Sequence, residues 1–134
     1  MKRDALVATV LVLVHLVIAY VHGEAHERLG VGLVAWQWAY VYSVITIAPL
    51  VAMALYWTRW PAAGALLLGA SMAGSFVFGV YHHFIGISPD HVSHLPAGDA
   101  QGAFVATAWL LAISEAATAA FGFWSFAQLR RRAV

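Results

Sequence analysis

Residues 28–59, RLGVGLVAWQWAYVYSVITIAPLVAMALYWTR, decide the fold. Between Arg28 and Arg59 run 30 residues without a charge, more than the roughly 20 apolar residues a transmembrane helix requires. Trp36, Trp38, Tyr40 and Tyr42 crowd one end of this stretch, and Tyr56, Trp57 and Trp60 crowd the other. Trp36 and Trp57 are separated by about 31 Å at 1.5 Å rise per residue. That matches the thickness of a bilayer's hydrocarbon core, so the two clusters read as interfacial aromatic belts. Pro49 sits between them. It lacks an N–H, so it should kink the helix and leave the Ile45 carbonyl without its usual donor.

Three more segments have the same character. Ala5–Val21 is uncharged and follows a basic start. Its length, and its continuation through His22 and His26 to Leu29 with Gly30 as stop, favour a spanning helix over a cleaved signal peptide. A third span starts at Pro61, a natural first helical residue, and stops at Gly86. Small residues line it, with Ala70/Gly74 and Ser75/Gly79 at the spacing that lets helices approach closely. A fourth runs from about Ala100, with Asp99 as N-cap, to Leu129. The expected fold is all-α: one four-span integral membrane helix bundle over residues 1–134, with spans at about 5–29, 33–58, 61–85 and 100–129.

Composition agrees. Of 134 residues, 63% are hydrophobic and 10% charged, against about 25% charged in an average soluble domain. This excludes a water-soluble globular enzyme, a disordered tail and a nucleic-acid binder. The expected partner is the lipid bilayer, with a homo-oligomer or a membrane complex permitted by the small-residue faces. Lys2, Arg3, Arg59, Arg130, Arg131 and Arg132 fall on one side of a four-span topology and only Arg28 on the other. The positive-inside rule then places both termini in the cytoplasm, as in a multi-pass protein of the inner or plasma membrane. The chain contains no cysteine, which excludes disulfides, thiolate metal sites and iron–sulfur clusters.

Seven histidines stand out in so apolar a chain. Six of them, His22, His26, His82, His83, His91 and His94, fall at or near the extracytoplasmic end of this topology. His15, His22 and His26 lie within about 40° of one another around a helix at 100° per residue, and Ala19 leaves space on the same stripe. Ser88-Pro89-Asp90 reads as the start of a short interfacial helix in the 3–4 loop that puts His91 and His94 on one face. Imidazoles from separate helices suit a divalent transition metal such as Zn, Cu or Fe. Here His22, His26 and His82 would converge, His83 would lie at the same helix end, and Asp90, His91 and His94 would cap from the loop. Haem is the other cofactor such histidines can hold, with His22 and either His82 or His83 as axial ligands. Glu24 and Arg28, four residues apart, read as a surface ion pair.

Glu115 lies mid-span in the fourth helix and His15 at similar depth in the first. A carboxyl at that depth must face the bundle interior, be neutral or be paired, so the two are expected to meet. Ser114 and Thr118 are nearby donors. The functions consistent with these features are a metal or haem protein, with a metal-dependent membrane oxidoreductase as its enzymatic form; a small proton-coupled carrier or channel subunit using Glu115; and a structural or assembly subunit whose interfacial histidines are incidental. The chain contains no Walker, Rossmann, zincin or nucleophile-elbow motif.

Overall fold

The computed structural model describes residues 2–132; the ends of the expected 1–134 domain, residues 1 and 133–134, lie outside the described residues. Among the described residues there is no strand. Four helices carry the fold: α1 (Lys2–Arg28), α2 (Ala35–Tyr56), α3 (Pro61–Ile85) and α4 (Gln101–Arg131). Each is long and apolar enough to cross a membrane, and their boundaries fall within three residues of those expected. The architecture is compatible with a multi-pass membrane protein. Trp36, Trp38, Trp57 and Trp60 are all about half exposed, on the outside of the bundle near the two ends of α2.

The ring of helices closes in the order α1, α4, α3, α2, with the lower half of α2 (Ala48–Tyr56) returning to α1. The inward face of α1 is Ala5, Ala8, Val12, His15, His22 and Ala25, a spacing of threes, fours and sevens that keeps one stripe toward the core. The histidine stripe is therefore the buried stripe. Ala5, Ala8, Val12, Ala52, Tyr56, Ala65, Leu68, Met72 and Ala119 form a dry core at the terminal end. Ala25, Val31, Leu95, Ala100 and Phe104 form a smaller one under the 3–4 loop. Buried His15, His22 and Glu115 lie between these two apolar plugs.

The closest helix contact is α3 on α4. A Cβ placed on Gly122 would meet Gly69 N at 2.5 Å, Gly69 Cα at 2.7 Å and Ala65 O at 3.0 Å. Backbone thus touches backbone at Gly69 and Gly122, and not at the expected Ala70/Gly74 pair: Ala70 is exposed, and Gly74 instead accommodates the Tyr40 hydroxyl.

Helix ends follow local chemistry. Gly30 is left-handed, with φ 66°. Its N–H bonds Glu27 O while Val31 N–H bonds His26 O, both at 3.0 Å, which is the Schellman pattern. The break expected at Pro49 takes the form of a π-helical segment, Val41–Ile47, just before it. Pro49 cannot donate to Ile45 O, and the His15 Nε2–H does so from α1 at 3.1 Å.

Three local expectations need correction. The short interfacial helix expected in the 3–4 loop is absent: residues 86–100 are turns and bends. A helix there would send Val92 N–H to Ser88 O, but it bonds His83 O at 2.9 Å instead and ties the loop to the end of α3. Ser88 likewise donates to His82 O, at 2.9 Å, rather than capping a new helix. Asp99 does not cap α4, whose N-cap is Ala100. Its carboxylate pairs with Arg28, so the cation expected to pair with Glu24 bridges the end of α1 to the start of α4.

Candidate metal centre

His22 and His26 occupy successive turns at the loop end of α1. His83 belongs to the π-helical turn Tyr81–Ile85 that ends α3. Wide turns of this kind often occur at functional sites, because the extra residue re-aims a side chain. One ring nitrogen from each of His22, His26 and His83 lies within 4.8 Å of those from the other two. His22 Nε2 and His83 Nε2 are 3.1 Å apart. Phe104 of α4, fully buried, backs all three rings, with centroids at 4.6 Å from His22 and His26 and 5.3 Å from His83.

The hydrogen bonds assign the protons. His26 Nδ1 is 2.9 Å from Val31 O, and His83 Nδ1 is 3.0 Å from Asp90 O. A carbonyl only accepts, so both Nδ1 atoms carry hydrogen. His22 Nδ1 is 2.8 Å from Thr107 Oγ1. The Thr107 hydroxyl donates to Ala103 O at 2.6 Å, which leaves its oxygen to accept from His22 Nδ1–H. In the neutral rings, every Nε2 therefore offers a lone pair. This is the arrangement of metal-ligating histidines, whose second nitrogen is held by an oxygen that fixes tautomer and orientation. Asp90 is buried, and its carboxylate oxygen lies 3.7 Å from His83 Nδ1, adding negative charge beside the rings.

The other histidines are placed differently. Consecutive helical residues point about 100° apart, so His82 and His83 face different surroundings. The His82 ring packs against Phe78, Trp36 and Tyr81, and its Nδ1 faces the Gln37 amide at 3.5 Å. His91 and His94 pack against each other in the loop, their rings tilted by 38° with centroids 4.9 Å apart, and His91 Nδ1 accepts from Ser93 N–H. Thr107 and Phe104 have no signal in the sequence as partners of these rings, because they reach them from another helix, 85 residues along the chain for the His22–Thr107 contact.

Deeper in the bundle, His15 Nδ1 and Glu115 Oε1 are 3.8 Å apart and both side chains are buried. His15 Nδ1 and Glu115 Oε2 have no hydrogen-bond partner. Ser114 and Thr118 donate to backbone carbonyls of their own helix, Leu111 O and Ser114 O, rather than to Glu115.

No protein-family model, curated protein or solved structure matches the chain. Fold and site together define a bundle of four apolar helices with a three-histidine group able to hold a metal ion.

Proposed function

We propose that the protein is an integral membrane bundle with both termini in the cytoplasm, binding one divalent transition-metal ion through Nε2 of His22, His26 and His83 near the outer face. The observation that carries this reading is the commitment of each Nδ1–H to an oxygen acceptor: Thr107 Oγ1, Val31 O and Asp90 O. Nitrogen donors suit zinc, copper or iron. Three protein ligands leave a position for water or substrate, the ligand count of catalytic rather than structural zinc. A metal-dependent oxidoreductase or hydrolase fits such a site equally well.

The spacing favours a bare ion over haem. Axial imidazoles need a porphyrin plane between them, and His22 and His83, with nitrogens 3.1 Å apart and Phe104 against both rings, offer no slot for one. A carrier reading of Glu115 needs a path toward the terminal end. Val12, Leu68 and Met72, each fully buried, fill that side.

The test is metal titration of the purified, chelator-stripped protein in detergent, followed by cobalt absorption and elemental analysis. One equivalent of Co²⁺ with ligand-field bands is expected, and one equivalent of Zn²⁺ should displace it. Substoichiometric, non-saturable uptake overturns the reading, and a Soret band in the protein as isolated replaces it with haem.

A further inference from the structure

Beside the histidine group and extending toward the middle of the bundle lies a cavity of about 810 Å³, within the range of small-molecule sites. Small side chains make the room: Ala19 on α1, Gly79 on α3 and Ala112 on α4 all line it. So does the course of α2. Its lower half packs on α1, but above the His15–Ile45 contact the two helices barely touch. The remaining wall is largely apolar and aromatic, with Ile45, Phe78 and Leu111 inside and Tyr20, Trp38 and Tyr42 at the exposed margin between α1 and α2.

The inner part of the cavity carries one unused polar group. Glu115 lines it with 3% of its surface exposed, and Oε2 has no hydrogen-bond partner. Gly79 lies across the gap. A Cβ there would sit 3.7 Å from Glu115 Oε2 and 4.0 Å from His83 Cδ2, so the carboxyl and the histidine group share one chamber. Buried polar atoms without partners are rare and call for one. A carboxyl oxygen accepts when ionised and can donate when it carries the proton, so a hydroxyl, which does both, fits it in either state. An apolar, aromatic wall with one carboxyl at depth selects a greasy molecule with a hydroxyl head.

We propose that this cavity binds a lipophilic phenol or quinol, which enters between α1 and α2 and hydrogen-bonds through its hydroxyl to Glu115 Oε2. Entry from the bilayer rests on the membrane reading above. Occupancy of the cavity does not rest on the metal.

The test uses the full chain in phosphatidylcholine nanodiscs with tritiated 4-nonylphenol, and nonylbenzene as a competitor that lacks only the hydroxyl. Saturable binding at one site is expected, with nonylbenzene weaker by about tenfold or more. Glu115→Leu should lower nonylphenol affinity by about the same factor and erase the preference. Ala19→Phe, which fills the chamber, should abolish saturable binding of both probes while helicity and monodispersity stay native. Absence of saturable binding by the native protein, equal affinity for the two probes, or a preference that survives in Glu115→Leu would each overturn the proposal. The comparison of probes on the native protein decides the matter even if a variant fails to fold. A protein that binds nonylphenol but no cobalt separates this site from the metal reading.

Discussion

His22 Nε2 and His83 Nε2 stand 3.1 Å apart, on two different helices, and each ring has its Nδ1 committed to an oxygen on a third segment. With both rings neutral, two lone pairs face each other at that distance. They repel unless a positive charge lies between them, and a metal ion or a proton can supply it. From that relationship come the first three predictions.

The ligand set separates from the bystanders by mutation. His22→Ala, His26→Ala and His83→Ala should each weaken Co²⁺ binding by more than about 100-fold, more than the loss of an outer-shell partner costs. His82→Ala, His91→Ala and His94→Ala should leave it unchanged. Loss of binding in His82→Ala would show that the trio has been chosen wrongly. The measurement is a Co²⁺ titration read by absorption.

Thr107 acts on the metal through His22. Thr107→Val keeps the shape but removes the acceptor of His22 Nδ1–H, freeing the ring to turn or change tautomer. Affinity should fall about 10- to 100-fold, and melting should show a loss of about 1–3 kcal/mol from the unpaired N–H. Thr107→Ser, which restores the acceptor, should recover both. Unchanged affinity in Thr107→Val would remove Thr107 from the site.

Protons compete with the metal for the same Nε2 lone pairs. Where the pH is low enough to protonate the rings, loading must therefore release protons and weaken as the pH falls further. The sign is fixed, because only neutral imidazole ligates. Isothermal titration in two buffers of different ionisation enthalpy measures the protons released, and an affinity indifferent to acidification would contradict nitrogen ligation.

Packing of α3 on α4 depends on the absence of one carbon atom. Gly122→Ala pushes a Cβ into the backbone of Gly69 and Ala65, which side-chain rotation cannot relieve. A cost of about 1–3 kcal/mol is expected, as for other overpacked cores. Gly102 is also in α4, but a Cβ there meets nothing within 4 Å. Gly102→Ala should be neutral or should stabilise by up to about 1 kcal/mol through helix propensity. Thermal melts in detergent distinguish the two.

Orientation is open to a direct chemical test, because the chain has no cysteine. A single thiol at Ser93→Cys, in the 3–4 loop, should react with an impermeant maleimide added to intact cells. Thr58→Cys, in the 2–3 loop, should react only after lysis. The reverse pattern would place the histidine group on the cytoplasmic side.

Much of the architecture was legible in the residues themselves. The 30 uncharged residues between Arg28 and Arg59 leave little alternative to a long apolar helix, and Pro61 and Gly30 mark helix ends by backbone constraints that act within a few residues. That His15, His22 and His26 share one stripe follows from helical periodicity alone, whereas its inward direction does not. The orphaned Ile45 carbonyl follows from Pro49, but its partner does not, because His15 reaches it from another helix.

What only the tertiary structure decided is which groups meet. On one helix, spacing fixes direction to within a fraction of a turn, so His22 and His26 could be paired from sequence. Between helices, rotation and depth are set by side-chain packing, and here by the backbone contact of Gly69 with Gly122. That packing brings Thr107, Phe104 and His83 to the two α1 rings and directs His82 elsewhere. It also ties Val92 to His83, so that the 3–4 loop forms turns instead of a helix of its own. Periodicity is a local property of a chain, whereas convergence of donors on a point requires several helices to agree in three dimensions.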